Sequence, residues 1–104
     1  MARRRKLSDW DARHDAAYRR AKREQYAGRA VYKLEELDKR WKLLAPGRRV
    51  LDLGCWPGSW VQYEAEAVGE EGLVIGVDLK EVDIPLPPWV QTAVVDVETL
   101  DPVP

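Results

Sequence analysis

The residue types that could hold a small molecule concentrate in nine positions, DLGCWPGSW at 52–60, directly after the apolar run RRVL. A glycine at the carboxyl end of a strand lets the chain turn tightly and lets a ligand approach bare main chain. The helix that follows presents free N–H groups and a partial positive charge. The spacing is Asp52-x-Gly54-x-x-Pro57-Gly58-x-Trp60. It departs from the dinucleotide pattern G-x-G-x-x-G, because tryptophan 56 stands where the second glycine of that set would lie. A NAD- or nucleotide-type pyrophosphate is therefore disfavoured, and a ligand without a diphosphate fits better.

Two further acids fall at matching places. Asp78 ends the apolar run LVIGVDL, 24 residues after Gly54, near the offset of about 20 at which an acid meets ribose hydroxyls in open α/β sheets. Asp96 closes the run VQTAVVDV. Three strand ends thus bring a glycine turn and two carboxylates to one crevice. The implied ligand has a ribose, an amine-bearing base and no phosphate, features that S-adenosylmethionine combines. Each residue taken alone has a structural explanation: Asp52 pins the loop, Gly58 serves the turn, Trp56 and Trp60 are core, and Asp78 begins a turn. The joint pattern is what carries specificity.

The elements that must position these residues follow from periodicity. Residues 1–7 read as a basic tail. Ser8 and Asp11 suit a helix start, and helix-compatible sequence runs to about Glu24, with His14 as a solvated helix residue. A second helix is expected from about Arg29 to Leu43, with Val31, Leu34, Leu37 and Trp41 on one stripe. Lys33 sits at the border of that stripe, where it is either a surface lysine with a snorkelling stem or an ammonium directed at a crevice beside the sheet. A strand over 48–54 follows. Then comes a helix from Ser59, with Gln62 completing a capping box, to about Ala67, ended by Gly69. Strands at 73–79 and 90–97 flank EVDIPLPP, whose three prolines forbid a central strand. Strands separated by a helix imply a parallel sheet with right-handed crossovers. Three strands amount to half of a doubly wound sheet and leave the first strand with an open, apolar edge. Dimerisation, strand exchange or a partner chain is expected at such an edge.

Length and charge bound the rest. The 104 residues suffice for one domain, and 45% hydrophobic with 34% charged residues is the balance of a soluble globular protein. No apolar run approaches the roughly 20 residues that cross a bilayer, and the basic start has no apolar stretch after it, so neither a membrane span nor a secretory signal is expected. Cys55 is the only cysteine, which rules out an intrachain disulfide or a cysteine-rich metal site and fits a cytoplasmic location. Residues 1–50 carry a formal charge of +9 and residues 51–104 carry −10. Either the basic half meets a polyanion, or the two halves present solvated faces that attract each other.

DLGCWPGSW resembles the first motif of the FtsJ/RrmJ family, the ribosomal RNA large-subunit 2′-O-ribose methyltransferases, whose form is close to Asp-Leu-Gly-x-x-Pro-Gly-Gly-Trp. The approach, DAAYRRAKREQYAGRAVYKLEEL, resembles the family's Asp-x-Tyr…Ala-Lys…Tyr-x-x-Arg-Ala-x-x-Lys-Leu. The resemblance spans roughly residues 15–100. It implies a Rossmann-like methyltransferase fold, of which 28–104 is the N-terminal half, preceded by a basic RNA-contacting arm over 1–27. It also implies S-adenosyl-L-methionine as cofactor, held by Gly54, Pro57, Gly58 and Trp60, with Asp78 at the adenosine ribose and Asp96 near the adenine amine. Lys33 matches the first member of the family's Lys-Asp-Lys-Glu catalytic set. Arg19, Arg20, Lys22, Arg23 and Arg29, with Tyr18 and Tyr26 in reach, would meet ribosomal RNA of the large subunit through phosphates and stacking. Three departures stand out. Ser59 replaces a glycine, Ala27-Gly28 replaces an Arg-Ser, and the other three catalytic residues of the family have no counterpart within 104 residues. The expectation is a cofactor-binding portion of a 2′-O-methyltransferase, inactive alone. The alternative is a non-catalytic half-domain that binds RNA or S-adenosylmethionine. No metal site is expected.

Overall fold

The computed structural model describes residues 16, 17 and 19–99. The expected tail, the Ser8–Asp11 helix start, His14 and Tyr18 lie outside the described residues. Residues 19–23 are helical. They are followed by helix α1 (Val31–Trp41), strand β1 (Arg49–Leu53), helix α2 (Ser59–Val68), strand β2 (Leu73–Asp78), strand β3 (Val90–Val94) and a single 3-10 turn at Val97–Thr99. The three strands are parallel in the order β1-β2-β3, with Val50 opposite Val74 and Val74 opposite Val90. This is the expected half sheet, except that β3 stops at Val94, short of the expected residue 97, where a 3-10 turn takes over; β2 is the only neighbour of β1 among the described residues.

One face of the sheet is covered by α2. Val61 and Val68 meet Val74 and Cys55, and Val50, Val82, Leu86, Trp89 and Val90 close around them. The proline-containing connection is therefore part of the core, and Trp89 donates its indole N–H to the Ala65 carbonyl at 2.8 Å. Helix and sheet approach closely because Gly76 has no side chain: a Cβ there would lie 2.9 Å from Cys55 Sγ and 3.0 Å from Val61. Among the described residues nothing covers the opposite face of β1, and Leu51 and Leu53 are 64% and 59% exposed.

α1 packs on α2. Val31 and Leu34 are buried as the stripe predicts, but the stripe stops short: Trp41 is exposed and lies under the Arg40 guanidinium at 5.2 Å. The helix also ends two residues early, since Lys42 adopts the left-handed conformation and donates its backbone N–H to the Asp38 carbonyl. The Asp38 carboxylate accepts from Leu44 N–H at 2.8 Å and from the Tyr63 hydroxyl at 3.0 Å, tying the end of α1 to α2.

The capping box at Ser59 does not form. Gly58, with φ of 119°, is the N-cap; Ser59 is already inside the helix and buried, and no side chain caps the first turn. The side chain of Gln62 instead accepts from Ala27 N–H at 2.7 Å and donates to the Gln25 carbonyl at 3.1 Å. It ties the segment preceding α1 to α2.

Substituting Gly76→Ala forces the Cys55 and Val61 contacts apart. Overpacking of this kind costs about 1–3 kcal/mol. Urea unfolding should show that loss, with the slope unchanged, whereas Gly47→Ala, whose Cβ meets nothing within 4 Å but whose φ is 84°, reports left-handed strain alone.

Candidate functional site

The turn after β1 hangs on the end of β2. The Val77 carbonyl accepts from Gly54 N–H at 2.8 Å and from Cys55 N–H at 3.2 Å. One residue on, Asp78 Oδ2 accepts from Trp56 N–H at 2.9 Å and Oδ1 from Lys80 N–H at 2.9 Å. These donations, that of Lys80 first, hold the Asp78 carboxyl below its ordinary range, so it is a fixed anion at neutral pH. Lys80 places its ammonium 4.3 Å from the centre of the half-exposed Trp56 ring. At Gly58 any side chain is blocked: besides the positive φ, a Cβ would come 2.6 Å from Ile84 Cδ1 and 3.0 Å from Val82 Cγ1. The turn is thus clamped between β2 and the connection that follows it.

Two clefts open along this edge. One, of about 300 Å³, is lined by Gly54, Asp78, Leu79, Val95, Asp96 and Glu98. Asp96 is exposed, and its Oδ1 accepts from Glu98 N–H at 2.9 Å, which starts the 3-10 turn. The other, of about 310 Å³, is bordered by Ala30, Asp52, Gly54, Pro57, Ser59 and Trp60 among others. Gly54 belongs to both, and a Cβ built on it meets nothing within 4 Å. Gly54, Asp78 and Asp96 therefore converge as the spacing predicts. Trp60 lines the second cleft and is anchored through its indole N–H to the Ala30 carbonyl at 2.8 Å. Gly58 is buried beneath the turn, whereas Pro57 reaches the second cleft.

Lys33 is exposed and pairs with Glu36 at 3.8 Å. It lines neither cleft. It sits one turn along from Ala30, to whose carbonyl its backbone N–H donates at 3.2 Å. Among the basic residues, Arg19, Lys22, Arg23 and Arg29 are exposed. Arg20 is engaged within the fold instead. It pairs with Glu24 and, at 3.3 Å, with Glu35, and its guanidinium covers the Tyr32 ring at 4.1 Å. This ties the 19–23 helical turn to α1. Tyr26 meets Tyr32 edge to face at 6.2 Å and donates its hydroxyl to Glu66 at 3.3 Å, so it packs within the protein rather than standing free to stack.

A buried acid pair was not legible beforehand. Asp52 and Glu64 are 8% and 4% exposed, and their carboxyl groups lie side by side, within reach of a hydrogen bond once one of them holds a proton. Burial first, then the neighbouring Asp52, pushes the Glu64 carboxyl up to about 9; burial also raises Asp52. The signal in the sequence was the position of Glu64 on the stripe Val61, Ala65, Val68. Among the described residues no cluster of three or more histidine, cysteine or acidic side chains is suited to a metal, and no helix is long and apolar enough to cross a membrane.

Comparisons with known proteins bear on the family and the fold. The model of the FtsJ-like methyltransferases matches residues 26–104. The ribosomal RNA large subunit methyltransferase E of Syntrophobacter fumaroxidans is 58% identical over 69 residues, covering 66% of this chain and 35% of that protein. The protein of the same name from Desulfosudis oleivorans is 47% identical over 83 residues, covering 80% of this chain and 40% of the relative. The chain thus spans about 35–40% of the length of these curated relatives. Among solved structures, a ribosomal RNA methyltransferase from Plasmodium falciparum superposes with a TM-score of 0.62 at 36% identity, over 71% of this chain and 40% of that one. A cyclopropane-fatty-acyl-phospholipid synthase-like protein from Lactobacillus casei, at 18% identity and a TM-score of 0.51, shares the fold over 68% of this chain and 34% of its own. With the glycine turn, Asp78 at the end of β2, Asp96 two residues past β3 and a family match over three-quarters of its length, the chain belongs to the FtsJ-like methyltransferases.

Proposed function

We propose that this chain is the cofactor-holding part of an S-adenosylmethionine-dependent methyltransferase that modifies ribose 2′-hydroxyls of large-subunit ribosomal RNA in the cytoplasm. The observation that carries the reading is the convergence of Gly54, Asp78 and Asp96 on one cleft, with Gly54 shared by a second cleft alongside. The residues fit such a cofactor. Asp78 keeps lone pairs on both oxygens for ribose hydroxyls after accepting its two backbone N–H groups, and its ionised state makes those bonds charge-assisted. Asp96 offers an acceptor to an exocyclic amine. Gly54 leaves room for the ligand to pass from one cleft to the other, where Pro57 and Trp60 form the wall. When bound, the cofactor supplies an electrophilic methyl group.

The acceptor hydroxyl must be oriented and must lose its proton, which are the steps a protein accelerates. Lys33 is the group on this chain assigned to that work, as base or as oxyanion-stabilising cation, one helical turn from the second cleft. A lysine acts as a base only when its affinity for the proton is lowered, for instance by a neighbouring cation. The family set supplies a second lysine that has no counterpart here. Residues 1–104 alone are therefore assigned cofactor binding without turnover. RNA phosphates are assigned to Arg19, Lys22, Arg23 and Arg29 on the 1–27 arm and just beyond it, while Arg20 holds the helical turn that carries them.

Calorimetry with S-adenosylhomocysteine tests the cofactor assignment. Asp78→Asn, which removes the charge from those bonds, should weaken binding roughly ten- to a hundredfold, the equivalent of about 1.5–3 kcal/mol. A folded protein that evolves no heat with either form of the cofactor would sink the reading. Methylation of undermethylated ribosomal RNA by residues 1–104 alone would show instead that Lys33 suffices. For RNA, each alanine replacement at Arg19, Arg23 or Arg29 should lower the slope of log affinity against log salt by roughly one, uniformly across sequences.

The exposed Leu51 and Leu53, and the one neighbour that β1 has among the described residues, support association through this strand, by dimerisation or strand exchange. Light scattering should find a dimer population that grows with concentration and shrinks when Leu51 and Leu53 are replaced by lysine. A monomer throughout would contradict the assignment.

A further inference from the structure

The cofactor reading makes no use of Glu64, yet α2 buries this acid on the same face as Val61, Ala65 and Val68. Its partner Asp52 is the fourth residue of β1, two positions before the glycine of the turn, and lines the second cleft. Asp52 Oδ2 and Glu64 Oε1 are both sealed from solvent, and among the described residues no donor reaches either while both carboxyls are ionised. Among the described residues the charged groups acting on the pair include no compensating cation: from β2 the anion Asp78 acts on Asp52, and from the turn comes the Cys55 thiol, itself pushed up by burial and by Asp52. Two ionised carboxylates removed from water without a cation repel each other and lose their hydration, so one proton stays on the pair. A neutral carboxylic acid, unlike a carboxylate, can donate.

We propose that Glu64, as a neutral acid donating to Asp52, is a positioning residue that fastens the end of β1, and with it the turn beginning at Gly54, onto α2. The bond exists only while the proton does. On its loss two anions face each other between strand and helix, and the second cleft, bordered by Asp52, Gly54 and Ser59, loses its wall. Burial raises the affinity of Glu64 for its proton in the folded state, from an ordinary 4.5 to about 9. The folded state then holds a proton that the unfolded state has released. Stability from this group is therefore full below about 4.5, falls as pH rises, and is lost through about 9.

The test compares wild type with Glu64→Gln, which donates at every pH and does not titrate, and with Glu64→Leu, which cannot donate. Carbon-13 NMR of the labelled glutamate side chains should give a Glu64 midpoint well above 7. Between pH 6 and 9 the folding constant of wild type should fall relative to that of Glu64→Gln by roughly tenfold per pH unit, the slope of one proton. The effect on S-adenosylhomocysteine rests on the function proposed above. There, wild-type affinity should drop above about pH 9 while Glu64→Gln keeps it, and Glu64→Leu should bind at least tenfold more weakly at neutral pH. A Glu64 midpoint in the ordinary carboxylate range, or identical pH profiles for wild type and Glu64→Gln, overturns the proposal. Absence of cofactor binding in every variant at every pH defeats the cofactor reading instead, and the titration with the two stability profiles still decides this one. Should Glu64→Leu fail to fold, the Glu64→Gln comparison carries the test.

Discussion

The carboxyl edge of the sheet depends on the end of β2 holding the chain that leaves β1. Val77 supplies the carbonyl that takes the Gly54 and Cys55 N–H groups, and Asp78 supplies the carboxylate that takes the Trp56 N–H. The register that sets Leu53 opposite Val77 makes both possible. A slip by one residue would turn each side chain to the other face. Gly76 would leave its place under Val61, and Asp52 would leave the face it shares with Glu64. The turn is therefore a consequence of strand pairing, more than of its own sequence, and its glycines permit a geometry that β2 imposes.

The same pairing explains how so small a core suffices. Among the described residues the largest fully buried side chains are four valines, Val31, Val61, Val68 and Val74. Valines fill the space because Gly76 lets α2 come down onto the sheet, and the connection before β3 adds Val82, Leu86 and Trp89 from the side. Parallel sheets ordinarily carry cover on both faces. Here α2 covers one, and Leu51 and Leu53 stand exposed on the other. That imbalance agrees with a chain matching about 35–40% of the length of its relatives.

What the sequence revealed and what it hid divide along physical lines. The strands, the two helices and the convergence of Gly54, Asp78 and Asp96 were legible because period and turn chemistry are local signals. Ser59 misled because a serine followed three residues later by glutamine is the form of a capping box. The positive φ of Gly58 moved the cap back one residue, and Gln62 found partners at Gln25 and Ala27, over 30 positions away. Arg20 looked like one more phosphate contact in a basic run. Only the fold brings Glu35 and Tyr32 to it. Trp41 extended the apolar stripe on paper, but the helix ends there, beyond what the stripe buries. Glu64 was hidden by its type, since a glutamate on a helix is taken for a solvated residue until its neighbours at three- and four-residue spacing are all seen to be core.

Charge layout adds a constraint that the two clefts alone do not express. The half of the chain from residue 51 onward carries −10, and three of its acids, Asp78, Asp96 and Glu98, line a single cleft of about 300 Å³. Like charges gathered along one edge repel further anions. A diphosphate cofactor would bring further anions to a site already negative. A cofactor with a sulfonium and an ammonium brings the opposite sign. The exposed Arg19, Arg23 and Arg29 lie in the +9 half, so the field there has the sign opposite to that of this cleft. Lys33 lies on α1 in the basic half, one turn from Ala30, which borders the other cleft. The field around the turn thus changes sign along its length, with acids lining the first cleft and α1, which carries Lys33, bordering the second.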